Sequence, residues 1–93
     1  MRKTFSFVSE TKKPERVADK IKHELKKYIT RERKKKLPES FNVWHFDCKV
    51  GLDDQTTYDI KISDLNKKVD EYQKKEVDTF YVEITSKPAN KKE

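Results

Sequence analysis

From Val17 to Ile29 apolar residues recur at helical spacing, and after Ile29 they stop. Val17, Ala18, Ile21, Leu25, Tyr28 and Ile29 line one face at i, i+4 and i+7, the stripe of a helix that packs on a core. The next seven residues, Thr30–Lys36, hold no apolar side chain. A helix so divided needs a covering layer for its first half and leaves the second to solvent. Thr11 or Lys13 stands near the cap, Pro14 suits the first turn, and Glu15 suits the positive end of the helix dipole. Pro38 ends the segment, because the residue before proline avoids helical backbone. Arg, Glu and Lys lose little rotamer freedom in a helix. Two versions are therefore open: a helix from Pro14 to Lys36, or one that frays near Thr30 and leaves the basic run as a loop. The longer version spans about 34 Å at about 1.5 Å per residue. It would overhang a strand of seven or eight residues, which is only about 26 Å long.

The rest of the chain supplies a sheet. Met1–Val8 alternates, with Phe5 and Phe7 on one face. Phe41–Val50 is the clearest strand: Trp44, Phe46, Cys48 and Val50 share one face, and Val43, His45, Asp47 and Lys49 the other. Gly51–Gln55 reads as a turn. Thr56–Ile62 alternates again, with Tyr58, Ile60 and Ile62 inward, and the short separation makes a hairpin. Ser63 reads as an N-cap, and Leu65, Val69 and Tyr72 give a second helix to about Lys75. A last strand begins at Asp78 or Thr79 and turns Phe80, Val82 and Ile84 to one side. Residues 88–93 read as a flexible polar tail after one domain over 1–87. The order β-α-β-β-α-β with one-sided apolar faces predicts a ferredoxin-like α+β fold, a four-stranded antiparallel sheet with two helices on one face.

Charge is placed unevenly. Residues 11–37 carry twelve Lys and Arg against four acids, while residues 38–93 carry nine Lys against twelve acids. The net charge of +6 thus belongs to one helix and its flanks. Lys26, Lys27, Arg31, Arg33, Lys34, Lys35 and Lys36 are dense enough to neutralise several phosphates, and the two arginines can bind phosphate bidentately. Three functions compete for this run: binding the backbone of RNA or DNA, docking a protein partner with an acidic surface, or solvating the end of a helix. Glu32 and Lys36, at i, i+4, show that part of the charge can pair internally. RERKKK also fits a nuclear-localisation pattern, which short basic runs match by chance. Dimerisation through a sheet edge is a further form of the protein-interaction alternative.

Other chemistry is poorly served. The open sheet face would offer Tyr81 as its single aromatic and several acids, a weak base-stacking platform, and the RNP pattern is absent. His45 and Asp47 face one way on a strand and Cys48 the other, so the three cannot converge on a metal. His23 is the only other histidine. His45 with Asp47 could orient an imidazole, but no nucleophile or oxyanion loop accompanies them. With one glycine in 93 residues, phosphate-cradling loops and dinucleotide fingerprints are excluded. An enzyme, a metal and a cofactor are therefore not expected. The lone Cys48 suits a reducing compartment, and no apolar run is long enough to span a bilayer. These features predict a cytoplasmic protein.

The segment KHELKKYITRERKKKLPESFNVWHFDCKVG, with FYVEITSKP later and KTFSF at the start, resembles a family of small bacterial proteins of unknown function. The likeness covers nearly the whole chain and follows the pattern KHE…KY…RER.KKLP…W.FDCK.G…FYVEI..KP. It is carried by His23, Glu24, Lys27, Tyr28, Arg31 to Arg33, Lys35 to Pro38, Trp44, Phe46 to Lys49, Gly51, Phe80 to Ile84, Lys87 and Pro88. His45 departs from an acid in the pattern. The resemblance implies a bacterial cytosolic protein and brings no activity, substrate or catalytic residue.

Overall fold

The computed structural model describes residues 1–90. The elements run β1 (Arg2–Ser6), α1 (Pro14–Arg33), β2 (Val43–Gly51), β3 (Tyr58–Ile60), α2 (Leu65–Lys74) and β4 (Thr79–Ala89), with a 3-10 turn, Ile62–Asp64, leading into α2. The four strands form one antiparallel sheet in the order β1-β4-β2-β3. Phe5, Phe7, Phe46, Cys48, Val50, Phe80, Val82 and Ile84 turn one face of the sheet inward. Val17, Ala18, Ile21 and Leu25 of α1 and Leu65, Val69 and Tyr72 of α2 cover it. Apolar alternation in the strands and the stripes on both helices are thus satisfied in one core.

The α+β class and element order are as expected, but the ferredoxin-like split is corrected. In that arrangement the first and third strands hold the centre; here β2 and β4 do. Length explains it. β4 has eleven residues and β2 nine, whereas β1 has five and β3 three. A central strand pairs along both edges, so the longest strands gain most there, and Phe80, Val82 and Ile84 of β4 are fully buried. Each helix crossover still skips one strand, β4 for α1 and β2 for α2.

Several local expectations also shift. α1 begins at Pro14 as predicted, with Lys13 as its N-cap, and ends at Arg33, between the two versions the sequence left open. Ser63 lies inside the 3-10 turn, so it does not cap α2. Tyr58 is exposed, because the third strand shrinks to three residues and its ring reaches toward Lys68, 5.4 Å from the centroid, instead of the core. Pro88 and Ala89, expected in a tail over 88–93, pair with Trp44 and Val43 in the sheet. Residues 91–93 lie outside the described residues.

The hairpin between β2 and β3 depends on Asp53 and Gly51. Asp53 Oδ1 accepts from the backbone N–H groups of Gln55 and Thr56, each at 2.9 Å, and from the Thr56 hydroxyl at 3.0 Å. The Thr56 hydroxyl and these N–H groups hold the Asp53 carboxyl below its usual range. Gly51 is chosen for space, not for backbone angle. A Cβ there would stand 2.7 Å from the Thr56 carbonyl oxygen and 2.9 Å from the Thr57 Cα. Gly51→Ala therefore pushes one strand end off the other, and we expect it to cost about 1–3 kcal/mol, the usual range for overpacking. A thermal melt indistinguishable from the parent would refute this.

Candidate nucleic-acid interface

α1 positions most of the predicted basic residues. Lys26, Lys27, Arg31 and Arg33 project from its last two turns, Lys34 is its C-cap, and Lys35 and Lys36 follow in the exit turn. All seven are exposed. They do not share one direction, because two positions along a helix is about 200° of rotation. Arg31 lies over the ring of Tyr28, 5.5 Å from its centroid, and Arg33 lies over Phe46 at 5.6 Å, on the side of the sheet. Lys27, Arg31 and Lys34 fall on one line at i, i+4, i+7. Met1, His23, Glu24, Tyr28 and Thr30 border an open groove there together with Lys26 and these three.

The basic end is fastened at two points that sequence reasoning missed. The first is Trp44. Its indole N–H donates to the Lys35 carbonyl oxygen at 3.0 Å. Expected as core, Trp44 is only half-buried, and its polar edge satisfies a carbonyl left over beyond the helix end. A tryptophan on a strand next to a helix exit was the available signal. The second is Glu32, the one buried charged residue among those described, at 7% exposure. Lys35 Nζ sits 2.5 Å from its Oε2 in an ion pair. The partner is thus Lys35, at i, i+3, and not the expected Lys36. Beside Lys35, with help from the Tyr28 hydroxyl and Arg31, the Glu32 carboxyl is held below its usual range. Burial, then Glu32, raises the Tyr28 hydroxyl.

A depressed carboxyl binds its proton first in the unfolded chain. The stabilisation from Glu32 is therefore complete above the ordinary glutamate value of about 4.3. It is lost as pH falls through the lower folded value. We expect Glu32→Gln to abolish this part of the acid sensitivity. Denaturant midpoints of parent and variant should converge as pH drops below about 4. Parallel midpoint curves would rule the effect out.

The open sheet face is different in kind. Arg2 pairs with Glu83 at 3.0 Å, and Asp47 takes both Lys87 and His45, each at 2.9 Å. Lys87, then His45, hold the Asp47 carboxyl low. Cys48 is buried on the opposite face, where burial, then Asp47, pushes its thiol up. Among the described residues no three metal-ligating side chains gather, and no helix is long and apolar enough to cross a membrane.

Fold and site together define a small basic α+β protein whose surplus cations are collected on one helix. The chain belongs to the family of unknown function DUF6172, whose family model matches residues 1–93. No curated protein and no solved structure matches the chain.

Proposed function

We propose that this protein is a nucleic-acid-binding accessory protein of the cytoplasm. It holds RNA or DNA backbone phosphates through Lys26, Lys27, Arg31, Arg33, Lys34, Lys35 and Lys36. One observation carries this: α1 and its exit carry a surplus of exposed cation, while every α1 acid but Glu15 is taken by a lysine. The Glu24 carboxylate is taken by Lys3, Asp19 faces Lys22, and Glu32 takes Lys35. Among the described residues, no ion pair holds Lys26, Lys27, Lys34 or Lys36. Phosphate contacts of this sort are independent of sequence and strongly dependent on salt. The test is a salt titration of binding to a mixed-sequence oligonucleotide, and no detectable affinity at low salt would end the proposal.

A second function, homodimerisation, is favoured by one feature of the sheet. β3 pairs only with Cys48, Lys49 and Val50, so β2 from Val43 to Asp47 has an edge with no strand beside it among the described residues. Ile84 N–H donates to the Met1 carbonyl and Phe7 N–H to that of Asp78. By the alternation of antiparallel pairing, the backbone groups of Trp44 and Phe46 then face that open edge. Pairing of two such edges would join two copies antiparallel. Sedimentation at rising concentration decides it, and a single-chain mass throughout excludes it.

A further inference from the structure

The cationic surface does not begin at Lys26. Taken at about 100° per residue, Arg16, Lys20, His23, Lys27, Arg31 and Lys34 all fall within about 60° of a single line along α1. That line is on the side away from Val17, Ala18, Ile21 and Leu25, which are buried, and all six of its residues are exposed. From Arg16 to Lys34 it is about 27 Å long. The carboxylates that flank it point elsewhere: Glu24 toward Lys3 on β1, and Asp19 toward Lys22, which also holds Asp70 of α2 at 2.9 Å. No ion pair among the described residues occupies Arg16, Lys20, Lys27 or Lys34.

We propose that this whole face of α1 is a docking track for the phosphate backbone of double-stranded nucleic acid, with Arg16 and Lys20 at its far end. The idea rests on the nucleic-acid function proposed above and extends it in two ways, in footprint and in ligand class. Charge complementarity selects a polyanion. A duplex presents one negative charge per about 1.7 Å of axis, counted over both strands, along the length of the track, and the lack of aromatics selects it. Single strands are held chiefly by aromatic stacking combined with a basic groove. The track has no exposed aromatic: Tyr28 is the nearest, half-buried and covered by Arg31.

Binding of a labelled mixed-sequence duplex, and of one of its strands alone, should be followed by anisotropy against salt concentration. The proteins are the full chain, Arg16→Gln/Lys20→Gln and Arg31→Gln/Lys34→Gln. Arg16 and Lys20 are exposed and outside the core, so circular dichroism should match the parent. We expect the duplex to bind more tightly than the strand. The slope of log K against log salt should flatten by about 1.8 in each double variant, two contacts at about 0.9 each. An unchanged slope in Arg16→Gln/Lys20→Gln, beside a flattened one in Arg31→Gln/Lys34→Gln, would confine binding to the helix end. That result overturns the track and leaves the proposed function standing. Tighter binding of the single strand would overturn the duplex assignment. No binding of either by the parent, or retention on anionic lipid vesicles alone, would overturn both the track and the function beneath it.

Discussion

Phe80→Ala should remove about 3–5 kcal/mol of folding stability, the usual cost of cutting a buried phenylalanine to alanine. A domain of this size has only about 5–15 kcal/mol in total. With an apolar fraction of 32% this chain belongs near the bottom of that range, so the variant should keep only about 0–2 kcal/mol at 25 °C. Phe80 is fully buried on the central strand β4. Its ring lies 5.6 Å from Phe5, 5.2 Å from Phe7 and 5.2 Å from Tyr72. It therefore joins three segments: the five-residue edge strand β1, the residue after it, and α2. Removing it opens a cavity where aromatic pairs each contribute about 0.5–1.5 kcal/mol beyond their area. Urea denaturation followed by Trp44 fluorescence measures the loss, with Phe41→Ala as the comparison, since Phe41 is 43% exposed. The comparison should stay within about 0.5 kcal/mol of the parent. A loss at Phe80 no larger than that would mean that the aromatic cluster does not hold the sheet.

What the sequence made legible follows from what periodicity encodes. Period two showed which side of each strand is apolar, and Phe46, Cys48, Val50, Phe80, Val82 and Ile84 are all buried on the expected side. Pro14 marked the start of α1 because its ring fits a first helical turn and not a helix interior. Strand order is not in that signal. A face pattern says what turns inward, not which strand lies beside which, so centring β4 and β2 depends on their lengths, and the polar far end of β4 carries no strand signal. Tyr58 misled because alternation does not show whether an edge strand is covered: Tyr58 pairs with Val50, yet its ring turns toward Lys68. At the basic end, composition located the cations, but not how they are held. The Trp44 bond to the Lys35 carbonyl is a contact between segments, and no local rule contains it; Glu32 pairs locally, but its burial is not in the charge pattern. The same limit hid the track along α1: the break in the apolar stripe at Ile29 drew attention to Thr30–Lys36, although Arg16 and Lys20 continue the line of cations on the other side of that break.

Reversing Arg31, Arg33, Lys34 and Lys35 to Glu should abolish nucleic-acid binding at physiological salt. The change takes the net charge from +6 to −2, since each of the four reversals subtracts two, but its position matters more than its size. If all four make phosphate contacts, their loss alone flattens the salt slope by up to about 3.6, at about 0.9 per contact. Four carboxylates in their place then repel the same backbone. Two features temper the choice of variant. Arg31 and Arg33 face different sides, over Tyr28 and Phe46, so one strand of backbone need not touch both, and 3.6 is a ceiling. Lys35 also pairs with the buried Glu32, and a glutamate there would set two carboxylates together and loosen the end of α1. Lys26→Glu/Lys27→Glu/Lys34→Glu spares that pair and should still cost most of the affinity. The control is an equal reversal on the other helix, at Lys67 and Lys74, compared with Lys27→Glu/Lys34→Glu. Both control positions are exposed, and both doubles lower the net charge by four. If binding depends on the surface of α1, the α2 double keeps nearly all its affinity and its salt slope, while the α1 double loses both. Equal losses from the two would show that only total charge counts, and would remove α1 as the interface.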